Sequence, residues 1–331
     1  MVNFWDKWLK FWDDEVKEKA EARKIIHEDE LEWVTTRQDK RVALLAAPDN
    51  GFVTMGGVTM IVEIPVGWRT GKCSGGEVVM YIIEGEGCSI IDGLRYDWEP
   101  GAVVAIPFGA TYQHYNTGNK TVRFLTANAI HIERYCGVAK LVQYEDCSEI
   151  PKGEPKEPKA PSDILFRVGR IVLHAKDAPI KYASEEERKS GYHHHHKRVE
   201  LMNTPGTGFN LKEVEITTIM CDDPFKKSKM TAENHGHMEA HVYILQGEGY
   251  SIVDGVKVPW KKGSLIHVQG PQTMHQHWNM SDDVSMMLRV HFGMRAHWYE
   301  DIAKRTFPYI HALPESGGSS ARARQAVYSR T

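Results

Sequence analysis

Residues 80–93 read MYIIEGEGCSIIDG, and residues 242–255 read VYILQGEGYSIVDG. In each, a β-branched and aromatic run meets Gly-Glu-Gly, a second such run follows, and Asp-Gly closes the stretch. Asp-Gly between apolar runs is a strong short-range hairpin signal. The likeness extends outward at nearly the same offset. Pro48 to Phe52 parallels Pro205 to Phe209, Trp98 to Gly101 parallels Trp260 to Gly263, and His114 to Asn116 parallels His277 to Asn279. One module is therefore present twice. It is built of short strands: residues 58–64, 78–83, 88–91, 102–106 and 122–125 are apolar runs punctuated by Gly, Pro and Asp. Strands at this spacing predict a sandwich or barrel, and the missing strand–helix alternation speaks against a doubly wound parallel sheet.

The rest of the 331 residues fits around the repeat. Residues 151–163 hold four prolines among alternating charges, which neither helix nor sheet accommodates, so they predict a linker. Trp5, Trp8, Leu9, Trp12 and Val16 recur at helical spacing, with Asn3 as a candidate cap. The expected organisation is an N-terminal helical arm (1–33), a first barrel (34–150), the linker (151–163), a second barrel (164–310) and a flexible tail (311–331). Hydrophobic residues make up 41% and charged residues 26%, with a net charge of −3, which gives no electrostatic case for a nucleic-acid surface. No apolar run is long enough to span a bilayer. Five cysteines without CxxC spacing predict reduced thiols and a cytoplasmic setting.

Histidine separates the two halves: 14 of 17 lie after residue 163. His235-Gly-His237 precedes one strand, and His275-Gln-His277 lies some 35 residues on. His-x-His on an extended chain presents both residues to one face. A third histidine from a neighbouring strand then completes a site for a first-row metal, with positions left for guests.

The pattern around these residues, with Gly263, His275 and Asn279 in the second module and Gly101, Pro107, Gly109 and Asn116 in the first, resembles the cupin signature. The chain looks like a bicupin: all-β, two tandem barrels with an N-terminal helix. Cys73, Gly75 and Tyr112 stand at the ligand positions of the first module, which implies that this barrel has lost its metal. The second module is most similar to gentisate 1,2-dioxygenase-like ring-cleaving enzymes. That resemblance implies Fe(II), with Mn, Zn or Ni as alternatives, held by His235, His237 and His275. Ala240 falls where other cupins place a ligating glutamate, and a different gap would put His241 there as a fourth ligand. His277 is the implied catalytic residue, acting on the substrate hydroxyl. Arg289 is the candidate carboxylate clamp, and Tyr243 and Trp278 are further substrate-binding candidates. The implied partners are a small hydroxylated aromatic (gentisate, hydroquinone or salicylate class), O2 and further copies of the chain, with neither nucleic acid nor membrane. The alternatives are a metal-dependent lyase, isomerase or decarboxylase, and a non-catalytic small-molecule binder. Glu239 reads as an exposed loop acid, with a ligand role as the alternative, and the His193–His196 tract as a solvated loop, with a metal or inter-subunit role as the alternative.

Overall fold

A computed structural model describes residues 3–186, 192–193, 195–202, 206–232, 234–237, 239–269 and 273–292, with the backbone alone at 12, 15–16, 192–193 and 235–237. The expected tail, 311–331, and residues 293–310 of the second domain lie outside the described residues.

Both modules are antiparallel β-barrels of two facing sheets. In the first barrel one sheet runs in the order Val172–Leu173, Val103–Ile106, Val78–Glu84, Val122–Asn128, Val58–Ile64, Arg41–Ala46. The facing sheet is built around Thr111–Asn116, flanked by Lys72–Ser74 and Gly87–Ile91. In the second barrel the corresponding order is Ile25–Ile26, Leu265–Val268, Ala240–Gln246, Ser285–Phe292, Val214–Asp222, Lys197–Glu200, Ile180–Tyr182. His235–His237, Thr273–Asn279, Glu248–Val253 and Val256–Lys261 form its facing sheet.

The duplicated sequence makes duplicated turns. Asp92 and Gly93 close one hairpin at φ 48° and 79°, and Asp254 and Gly255 close the other at 46° and 81°. This left-handed backbone is the one Asp and Gly tolerate best. Each Asp also ties its turn to a strand: Asp92 Oδ1 accepts from the Thr111 amide and Asp254 Oδ1 from the Met274 amide, both at 2.8 Å.

Alternation along the strands sorts most of the core of the described residues into three bodies. Met80, Ile82, Tyr112 and Phe124 fill the first barrel. Met220, Ala240, Val242, Ile244 and Met287 fill the second. Between them, Leu45, Ile61 and Leu125 of one barrel pack on Ile216, Tyr243, Leu265 and Leu288 of the other. The two barrels thus share a dry interface formed by their larger sheets.

Strands cross that interface in both directions. Ile25–Ile26, from the expected N-terminal arm, pairs with Ile266 and Leu265 of the second barrel. Val172–Leu173, from the expected second domain, pairs with Val104 and Val103 of the first. The linker is itself hydrogen-bonded to the first barrel: the Arg95 amide donates to the Pro158 carbonyl and the Ala160 amide to the Arg95 carbonyl, each at 2.9 Å. The N-terminal helix spans Phe4–Glu21. Asn3 caps it by accepting from the Trp5 amide, and Lys24 Nζ donates to the carbonyls of Lys19, Ala20 and Ala22 at its end. Among the described residues no helix is long and apolar enough to cross a membrane.

Candidate metal centre of the second barrel

Register brings the candidate ligand positions together. His235 lies opposite His275 and His237 opposite Thr273, on adjoining strands of one sheet. His275 Nδ1 is 2.9 Å from the Thr273 carbonyl oxygen, which can only accept. Nδ1 therefore carries the proton and Nε2 the lone pair, the tautomer a metal-ligating imidazole needs. The His277 ring lies 5.5 Å from that of His275. Its Nδ1 is hydrogen-bonded to Ser251 Oγ at 2.7 Å, and the same oxygen accepts from the Trp260 indole at 3.0 Å. Both histidines are buried.

Ala240 faces into this barrel, as its place among Val242 and Ile244 shows. Its rung of the larger sheet also carries His291, which in turn lies opposite Glu215. The next inward rung holds Arg289, between Val242 and Thr218. Arg289 is buried, and its Nε donates to Thr217 Oγ1 at 3.2 Å. The placement of Glu215 and His291 beside Ala240 was not readable from sequence. A bulge between Ile216 and Thr218 shifts the face of everything before it.

Three sequence-predicted positions sit elsewhere. His241 alternates with Ala240 and points out of the barrel toward its neighbour, so it does not join His275. Tyr243 follows it on that outer face and belongs to the core between barrels. Trp278 lies on the opposite face of its strand from His277, stacked on Tyr250 with centroids 5.1 Å apart. In a strand, one residue of offset exchanges inside for outside.

The outward face holds a second polar group. Glu239 Oε1 is 3.2 Å from His241 Nε2 and 2.8 Å from His267 Nε2. Glu239 Oε2 accepts from the amides of Met55 and Gly56, in the first barrel. His241 Nδ1 is hydrogen-bonded to Thr59 Oγ1, and Phe292 packs on its ring. Glu239 is therefore no exposed loop acid. It is 4% exposed, and the hydrogen bonds from both imidazoles outweigh its desolvation and hold its carboxyl far below the usual range. Burial pushes His241 down to about 4. The three ligand-type atoms lie within 4.8 Å of one another, a spacing that suits a metal ion. Equally, the carboxylate already accepts four hydrogen bonds, which satisfies it without one. His267 was not singled out from sequence, because nothing in its strand Leu265–Val268 marks it.

The His193–His196 tract is not a simple solvated loop. His195 is buried, with Nδ1 3.1 Å from both carboxylate oxygens of Asp222, while His196 meets Asp223 at the same distance.

Comparison with known proteins agrees with this architecture. Residues 60–128 match the family model described as a cupin domain. No curated protein sequence matches the chain. Among solved structures, the salicylate 1,2-dioxygenase of Pseudaminobacter salicylatoxidans is similar, with a TM-score of 0.57 at 11% identity over 78% of this chain and 77% of that one. The oxalate decarboxylase of Lactobacillus farciminis gives 0.58 at 12% over 82% and 86%. A mutant oxalate decarboxylase of Bacillus subtilis gives 0.58 at 12% over 89% and 85%. At such identities the likeness is one of fold.

Proposed function

We infer the function from the premise that the chain is a bicupin of the cupin superfamily. Our reading is an iron(II)-dependent dioxygenase that opens the ring of a small hydroxylated aromatic, with its metal in the second barrel on His235, His237 and His275. The observation that carries it is the register of His235 opposite His275, together with the His275 tautomer fixed by the Thr273 carbonyl. The neutral nitrogen donor set suits iron(II), and equally zinc or nickel. When bound, the metal supplies Lewis-acid and redox chemistry.

The chain's own residues do the remaining work. His277, anchored through Nδ1 by Ser251 and Trp260, takes the substrate hydroxyl proton on Nε2. Arg289 supplies positive charge on the inner face for a substrate carboxylate. Met220, Val242 and Ile266 make the walls apolar and keep bulk water out. Assembly into homo-oligomers belongs to the same proposal, through the exposed Phe4, Trp5, Trp8 and Phe11 of the first helix. Sedimentation velocity checks it, and a monomer would end it.

The experiment is metal analysis followed by oxygen uptake with gentisate, salicylate, hydroquinones and catechols. Wild type is expected to hold about one iron per chain and to consume O2 with loss of aromatic absorbance. His275→Ala should lose both, while His267→Ala keeps its metal. Metal retained by His275→Ala and lost from His267→Ala would put the ion between the barrels and sink the reading. One observation favours a second reading, a metal-dependent decarboxylase or lyase: Glu215 lies on the inner face by register beside His291. Turnover of a carboxylate substrate under strict anaerobiosis would decide for it.

A further inference from the structure

The first barrel keeps the interior of its twin without the three histidines at the ligand positions. Cys73 lies opposite Tyr112 in the register that sets His235 opposite His275. His114, Ser89 and Trp98 repeat the hydrogen-bond chain of His277, Ser251 and Trp260. Around Gly75, Tyr112 and His114 lies a cavity of about 320 Å³, with Met60, Val62, Phe124 and Leu141 as apolar wall. That is the size of a small-molecule pocket.

Its polar lining is one-sided. Asp39 is 92% buried, and among the described residues its carboxylate makes no hydrogen bond or ion pair. Glu133 is 98% buried; its Oε1 has no hydrogen-bond partner, and its carboxyl meets only another acid, that of Glu213. Glu77, the third acid of the lining, is already satisfied by the amides of Lys212 (2.9 Å) and Glu213 (2.8 Å). Tyr112 accepts from Gln38 Nε2. Burial drives His114 down to about 3, so it carries no charge at neutral pH. Lys140 stands on the exposed rim and pairs with neither acid among the described residues. Two buried carboxylates thus face an apolar chamber without a counter-charge. Burial without a partner is costly for a carboxylate. Desolvation raises Asp39 to about 7, and desolvation together with the neighbouring Glu213 and Glu77 carboxyls raises Glu133 to about 7.

We propose that the first barrel binds a small organic cation, an amine carried on an apolar or aromatic body, with Asp39 and Glu133 as its counter-charges and the Phe124 side as its wall. The site is separate from the proposed metal centre and does not depend on it.

Calorimetric titration of the full chain at pH 7 with benzylamine, tyramine, cyclohexylamine and hexylamine, against benzyl alcohol and benzoate, tests this. At least one amine should bind one to one, and at least tenfold more tightly than its neutral or anionic counterpart. Asp39→Asn should weaken that amine tenfold or more, and Glu133→Gln should weaken it in the same direction. His275→Ala should leave it within twofold, which separates this site from the second barrel. Absence of binding by all four amines, equal binding of the alcohol, indifference to both acid substitutions, or loss on His275→Ala would each overturn the proposal. A 4-bromobenzylamine soak of wild-type crystals needs no variant. Bromine density in the first barrel supports the site, and density only elsewhere refutes it.

Discussion

Glu239 shows how much one side chain can carry. Its four accepted hydrogen bonds come from two barrels and three stretches of chain. Glu239→Gln would turn an amide NH2 toward groups that all donate. Leaving buried groups mispaired costs about 1–3 kcal/mol each, so the variant should lose roughly 2–4 kcal/mol in urea unfolding. A loss under ~0.5 kcal/mol would contradict the network. Asp39 and His114 make opposite predictions for pH. Asp39 is raised to about 7 in the folded chain, so its contribution is present at low pH and is lost as pH rises through that value. Asp39→Asn should therefore be more stable than wild type at pH 8 and little changed near pH 4. His114 is depressed to about 3, so the unfolded chain binds the proton first and stability falls as pH drops below its ordinary value near 6.5. His114→Gln should flatten the acid limb, as read from denaturant midpoints between pH 4 and 7.

Among elements, the strand pairs that follow the Gly-Glu-Gly turns are the most constrained. A Cβ on Gly87 would lie 2.1 Å from the Tyr115 carbonyl oxygen and 2.4 Å from the Trp98 ring. On Gly249 it would lie 2.0 Å from the Trp278 carbonyl oxygen and 2.7 Å from the Trp260 ring. Both glycines let an indole lie flat and reach its serine. Either Gly→Ala change should cost about 1–3 kcal/mol by overpacking, and Gly249→Ala should also reduce turnover by displacing Trp260 from Ser251. Thermal melts and initial rates check this, and unchanged melting would refute it. These elements were the legible part of the sequence, because glycine, Asp-Gly and strand alternation write their demands locally. The inward set His275 and His277 was legible for the same reason. The orientation of His241 was not, since one unassigned residue before it decides its face. Glu239 was misread because its partners are not local: Met55 and Gly56 lie more than 180 residues away. Two-residue strands such as Ile25–Ile26 carry no period to read at all.

For the whole molecule, the barrels are joined by a shared core and by exchanged strands. Removing residues 1–27 takes away Ile25–Ile26 and the Lys24 carbonyl, which accepts from the His267 amide at 2.9 Å. Hydrogen exchange should then rise at Leu265–Val268, in the second barrel, although the deletion lies before the first. Exchange confined to the first barrel would contradict the pairing. The shared core also predicts a single cooperative transition in calorimetry for the full chain.

The exchange of edges has a consequence for synthesis. A ribosome delivers Ile25 and Ile26 long before the strand they complete exists, and delivers Val172 and Leu173 only after the rest of their sheet has emerged. Neither half of the nascent chain can close its own edge unaided. A gene split at the proline-rich joint would therefore yield two fragments that each hold a strand belonging to the other.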